Sequence, residues 1–307
     1  MFVYSMLCVF NPEHDLCLAN GGKHYVPPAS ARSFAASSYG MMRWIYPSAT
    51  CVSVSGVRAA FEHTGGGPIV PWGWNLTLKN SLLMQGVCES ELPTDGVLDL
   101  WRRLQHRATL LPLQPYSRAV TSDKEVEELL SKCPDLLLKA PWSGSGRGLR
   151  WVSNKMVDHD RAWLAKVVRE QQCAIAEPRW AVLHDYALEY MVDGRGLRFI
   201  GFSLFDTANG VYRCNQLLSD NEIERRVSFP LQLRPVVEQW LNSQIVPHYL
   251  GPLGVDVIQD KEGRHHISEI NLRHTMGLVA HEYLKHHPES EGLCFSAEDF
   301  VGQKHGI

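Results

Sequence analysis

Two acids and an amide late in the chain have the types and spacing of a magnesium site. They are Asp256, Glu269 and Asn271, in the stretch GVDVIQDKEGRHHISEINLRHTMG. Glu269 and Asn271 alternate along one predicted strand, so both side chains point to one face. Asp256 lies on the preceding strand and can face them across a hairpin that turns at Glu262-Gly263. A few hard oxygen donors, with no His or Cys among them, suit Mg2+, which keeps places for waters and phosphate oxygens. The competing reading is a solvated edge face. The apolar flanks of SEIN oppose it, since an unpaired acid among apolar neighbours is costly.

A second stretch has the make-up of an anion cradle. In LLLKAPWSGSGRGLRWV, residues 136–152, an apolar strand ends in Lys139, and Ser143, Gly144, Ser145 and Gly146 follow, then Arg147 and Gly148. Small residues in series let consecutive backbone N–H groups point into one concavity, where phosphate oxygens bind. The lysine precedes the loop and the loop returns into a strand. Both facts exclude the Walker loop and the dinucleotide fingerprint, in which glycines open a helix. Taken alone, the loop also reads as a flexible turn.

Candidate substrate residues are scattered. FNPEHDLCLANGGKHYVPPASAR follows the first strand, where α/β units bind ligands, and offers Glu13, His14, Asp15 and Arg32. The other reading of NPEHD is a strand-end turn with a helix cap. The two tryptophans of PWGWN are core or a ligand wall. Arg213, in VYRCNQLL, is an anion ligand or a surface arginine, and His265 and His266 read as solvated.

These groups need elements to hold them. Residues 3–10 predict a buried strand, ATCVSVSG a second, and GGGPIVPWGWN a loop; Leu98, Trp101 and Leu104 predict a helix. Residues 1–115 thus read as one α/β unit. SRAVTS, DLLLKA, LRWVS and CAIAEP are strands, with a helix capped by Asp123 and another over Trp163–Val168; residues 116–180 form a second unit. In 181–307, two strands flank Asp193-Gly194, a helix runs over Leu233–Ile245 despite Pro235, and the acid-bearing hairpin follows.

In combination, KAPWSGSGRG and the later Asp256, Glu269, Asn271 and Arg273 resemble the ATP-grasp superfamily of carboxylate–amine ligases, over residues 116–285. The resemblance implies an ATP-grasp α/β (α+β) fold of two subdomains gripping ATP, preceded by an N-terminal α/β domain. It implies an ATP- and Mg2+-dependent ligase that activates a small-molecule carboxylate as an acyl phosphate and joins it to an amine or similar nucleophile. An ATP-dependent small-molecule kinase and a nucleotide-binding protein without turnover are the alternatives. Residue by residue, it assigns Lys139 to the α- and β-phosphates and residues 143–148 to a lid over the β- and γ-phosphates. Glu177 would reach the adenine amino group and Asp185 the ribose. Asp256, Glu269 and Asn271 would hold magnesium, and Arg273 would face the γ-phosphate or the acyl phosphate. A second basic phosphate residue is Arg103 or Arg107. Two departures stand out: Gly254 occupies the position of a catalytic Arg in D-alanine-type ligases, and the hinge continues unusually as Pro178-Arg179-Trp180.

Composition is that of an ordinary globular chain of 307 residues, 45% hydrophobic, with net charge −3. Without a basic block, nucleic acid is not an expected partner. No run of 18 apolar residues suggests a membrane span, and the short apolar start lacks the positive region of a signal peptide. The eight cysteines form no C-x-x-C pair and read as buried reduced thiols of a cytoplasmic protein.

Overall fold

The computed structural model describes residues 6–64, 67–144, 148–208 and 210–296. Three sheets arise in turn along the chain. In the first, β1 (Leu7–Phe10) lies between β2 (Thr50–Ser53) and β3 (Ile69–Pro71), parallel to both. Leu7 and Val9 enter one apolar cluster and Cys8 and Phe10 another. Both faces are covered, which is why the strand reads as an unbroken apolar run. Around it lie α1 (His14–Asn20), α2 (Ala29–Ser38), α3 (Val57–Thr64), α4 (Leu76–Met84) and α5 (Asp95–Leu104). β3 falls inside the stretch read as a loop, because three residues between glycines and tryptophans are too few to display alternation.

The second sheet is antiparallel, in the order β4 (Arg118–Val120), β7 (Ala174–Pro178), β5 (Asp135–Lys139), β6 (Leu149–Ser153). α6 (Asp123–Leu130) and α7 (Asp158–Gln171) pack on it through Val126, Leu130, Leu164 and Val167. The cap of α6 is Ser122 rather than Asp123. Ser122 Oγ accepts from the Glu125 amide, and the Glu125 carboxylate accepts from the Ser122 amide. This reciprocal box satisfies two amides that the helix itself cannot.

The third sheet carries the chemistry. Its strands are β8 (Val182–Asp193), β9 (Gly196–Ala208), β10 (Val211–Gln216), β11 (Gly251–Asp260), β12 (His265–Asn271) and β13 (Cys294–Phe295), in the order β12-β11-β8-β9-β10-β13. Period two sorts β8: Tyr186, Leu188 and Tyr190 fill the core, while Asp185, Ala187 and Glu189 face a cleft. α8 (Asp220–Arg226) and α9 (Leu233–Gln244) close the core side through Ile223, Val237 and Leu241. Pro235 sits in the first turn of α9, where its missing N–H costs no hydrogen bond. α10 (Met276–His286) starts at the cleft, capped by Thr275.

One expectation about thiols is corrected. Cys214 and Cys294 form a disulfide with Cα atoms 5.9 Å apart, although 80 residues separate them in sequence. The pairing of β13 with β10 sets Cys294 opposite Gln216, two residues along the strand from Cys214. Cys8, Cys17, Cys51, Cys88, Cys133 and Cys173 are free. Among the described residues no helix is long and apolar enough to cross a membrane.

Candidate active site

A cleft of about 1540 Å³ opens between the three sheets. Its floor is the β11–β12 hairpin. Asp256 pairs in register with Glu269, and Gly254 with Asn271. Asn271 Nδ2 donates to Asp256 Oδ2 at 3.1 Å. The ladder then skips a residue: Val257 pairs with Ile267, so Ser268 is the extra residue of a bulge. As a result Ser268 and Glu269, neighbours in sequence, both line the cleft. Burial, then the charges of Glu269 and Glu189, hold the Asp256 carboxyl well above the usual range. Such crowding of acids is what a bound cation relieves.

Three cations enter from different elements, Lys139 and Arg107 buried and Arg273 partly so. Lys139, at the end of β5, contacts Glu177 Oε1 at 2.7 Å and donates to Ser268 Oγ at 3.0 Å. Arg107 reaches Glu269 Oε2 at 2.6 Å; it also donates to Ser143 Oγ at 2.7 Å and to the Ala140 carbonyl. Arg273 forks onto both oxygens of Asp15, at 3.0 and 2.9 Å. Burial raises the Asp15 carboxyl, but the Arg273 guanidinium outweighs it and leaves the group below its ordinary value. Each cation therefore already has a carboxylate partner.

Glu189 sits deeper, 1% exposed, accepting from Ser203 Oγ at 2.9 Å and Thr275 Oγ1 at 2.8 Å. Burial pushes its pKa up to about 7. Gly254 and Gly277 make room for it, since a Cβ at either position would run into its carboxylate. Asp185 accepts from Thr207 at 2.7 Å and is likewise raised by burial.

Measured against the sequence reading, Lys139, Ser143, Gly144, Glu177, Asp185, Asp256, Glu269, Asn271, Arg273 and Glu13 all line this one cleft. Ser145, Gly146 and Arg147 lie outside the described residues. Gly148 is buried at the loop's return, its carbonyl accepting from the Ala140 amide, and a Cβ there would strike Ser143. Of Arg103 and Arg107, Arg107 is buried and lines the cleft, whereas Arg103 is exposed.

Three substrate candidates fall elsewhere. His14 is fully buried behind the cleft, bonded to Asn75 at 3.1 Å and Gln105 at 3.4 Å, and burial lowers its pKa to about 4. Arg32 is on the exposed face of α2, while Ser30, Ala31 and Phe34 face the cleft. Arg213 is the extra residue of a bulge in β10 and points to the exposed side. His265 and His266 are not solvated: His265 meets the Tyr186 hydroxyl at 2.8 Å, and His266 stacks 3.7 Å from Trp180 and bonds Asp260 at 2.9 Å. Trp72 is both core and cleft wall, whereas Trp74 only packs in the core. Asp15 and Ser268 gave weaker signals in sequence: the first was one of several polar residues in a turn, and the second depends on a bulge.

A cleft between antiparallel sheets, with the acids on a late hairpin and a lysine before a glycine-rich loop, is the arrangement of the ATP-grasp fold, and this chain has that fold. It is similar to N5-carboxyaminoimidazole synthetase from Staphylococcus aureus, solved with ADP: 12% identity, TM-score 0.55, 91% of this chain and 76% of that one. Biotin carboxylase from Campylobacter jejuni gives 12% identity and TM-score 0.56 over 96% of this chain and 73% of that one. D-alanyl-alanine synthetase A from Vibrio cholerae gives 11% and 0.53 over 99% and 98%. At such identities the likeness establishes the fold alone. No protein-family model and no curated protein sequence matches the chain.

Proposed function

We propose that the protein is an ATP- and Mg2+-dependent ligase that activates a small-molecule carboxylate as an acyl phosphate and joins it to an amine or similar nucleophile. The observation that carries this reading is the meeting of Asp256, Glu269 and Asn271 with Lys139, Arg107 and Arg273 in one cleft. The fold's solved relatives include an ADP complex and an MgADP complex, in keeping with nucleotide and metal. The donor set fits a hard divalent cation: two carboxylates and one amide oxygen, with no ion pair to Asp256 among the described residues. Bound there, magnesium would supply charge neutralisation for the transferring phosphoryl group.

The chain's own residues do the rest. Lys139 turns from Glu177 to the phosphates, and Arg107 turns from Glu269, which frees that carboxylate for the metal. Arg273, held square by Asp15, stabilises charge on the phosphoryl oxygens as it builds up. Ser143 and Gly144 close over the phosphates and keep water from a labile acyl phosphate. Glu177 and the hinge backbone meet the base, and Asp185 meets the ribose. In this reading residues 1–115 present the substrate, and 116–180 and 181–307 grip the nucleotide.

The test is ADP release from Mg-ATP against pooled amino acids, small carboxylates and amines, with Glu269→Ala as the blank. The reading expects one pool to raise ADP in the parent alone, with phosphate and a joined product. A stable phosphorylated product would mark a kinase instead, and equal ADP release from both proteins would refute the site.

A further inference from the structure

The end of the cleft away from the hinge has a composition of its own. Phe10, Phe34, Trp72 and Met276 belong to one apolar cluster and all line the cleft there. Phe10 meets Phe34 edge-on at 5.9 Å and Trp72 at 5.1 Å, a rigid aromatic corner. The same cleft holds two buried polar atoms with no hydrogen-bond partner among the described residues, Glu13 Oε2 and Asn215 Nδ2. Glu13 is 9% exposed and Asn215 1%, and both line the cleft. Tyr212 donates to Asn215 Oδ1 at 2.6 Å, which leaves the amide nitrogen as the open group. A buried polar group without a partner is costly, so two lining one cleft call for a ligand.

The two atoms are complementary in kind, one acceptor and one donor. Charge narrows the choice further. The start of α10 is not available to an anion, because the Glu189 carboxylate already lies against Gly277. Arg273, the cation contributed beside α10, is engaged by Asp15. Glu13 and Glu189 therefore leave this end short of positive charge.

We propose that this end binds a small amine carrying an apolar side group and a neighbouring carbonyl or carboxylate oxygen. Its ammonium donates to Glu13, its oxygen accepts from Asn215, and its side group lies in the Phe10–Phe34–Trp72 corner. Burial raises the Glu13 carboxyl, and an arriving ammonium supplies the charge that lets it ionise. The proposal rests on the ligase reading of the same cleft and names one of its substrates by class.

The experiment is calorimetric titration of the full chain, in Mg2+ and a non-hydrolysable ATP analogue, with phenylalanine, leucine and 3-phenylpropionate. The last keeps the ring and the carboxylate but lacks the amine. Phenylalanine or leucine is expected to bind, and 3-phenylpropionate at least tenfold more weakly. Glu13→Gln and Asn215→Asp, which keep shape but remove the charge or the donor, are each expected to weaken amino-acid binding at least tenfold. Affinity for the analogue serves as the folding control for both variants. Equal binding of 3-phenylpropionate, unchanged affinity in Glu13→Gln, or silence of all three ligands where the analogue binds would overturn the proposal. Failure of the parent to bind the analogue would sink the ligase reading, and this proposal with it.

Discussion

The two ends of the cleft are built on opposite plans. At the end formed by β5, β7, β11 and β12, buried cations have carboxylate partners: Lys139 holds Glu177 and Arg107 holds Glu269. At the end formed by β1, α1, β10 and the start of α10, Glu13 Oε2 and Asn215 Nδ2 have no partner among the described residues; Arg107 Nε lacks one too, but its guanidinium is otherwise paired. A paired charge is stable in the empty protein and can be exchanged for a phosphate or a metal. An unpaired group waits for a particular ligand. The first plan suits a ligand common to many enzymes of one fold, the second a ligand peculiar to one of them.

Predictions follow this contrast. Glu269→Ala removes a proposed metal ligand and strands Arg107. It is expected to cut ADP formation about a hundredfold or more while the protein still melts cooperatively; calorimetry and an ADP assay read both. The substrate end is held up by neutral buried histidines. His14 and His274, each lowered by burial to about 4, bind a proton in the unfolded chain first. Stability is therefore lost as pH falls from about 6.5 towards 4, by about 3 kcal/mol for each histidine. Urea melts at several pH values measure this, and a flat profile would mean that these rings are solvated. Lys139→Ala should weaken nucleotide binding some tens of times, read by calorimetry, because only the hinge end loses a charge. Asp15→Asn should lower kcat about tenfold and leave nucleotide affinity alone, since it loosens Arg273 without touching the hinge. If both substitutions moved nucleotide affinity equally, the two ends would not be separate devices.

Legibility in the sequence followed the range of the interactions. Asp256, Glu269 and Asn271 could be read because a hairpin sets their geometry within sixteen residues. Lys139 could be read because an apolar run and a glycine-rich loop frame it. The choice of Arg107 over Arg103 could not, since it depends on how a segment before the second sheet packs against Ala140 and Glu269. His14 looked like a ligand by its neighbours, yet its ring fills the space over Gly73, in the bend that follows β3 some sixty residues away. Arg213 and Ser268 each lie in a bulge, and a bulge inverts the alternation from which facing is inferred. The disulfide depended on a two-residue strand too short to carry any pattern.

The internal ion pairs also decide how the cleft responds to the solution around it. An exposed cation sheds dissolved anions when a phosphate arrives, and its attraction fades as salt rises. Lys139 and Arg107 are buried and, in the reading proposed above, shed fixed carboxylates instead. Those carboxylates stay in the cleft, and the one from Glu269 is left beside Asp256. On the proposed reading the cleft is a small cation exchanger, and its hold on a nucleotide should answer to divalent ions far more than to ionic strength.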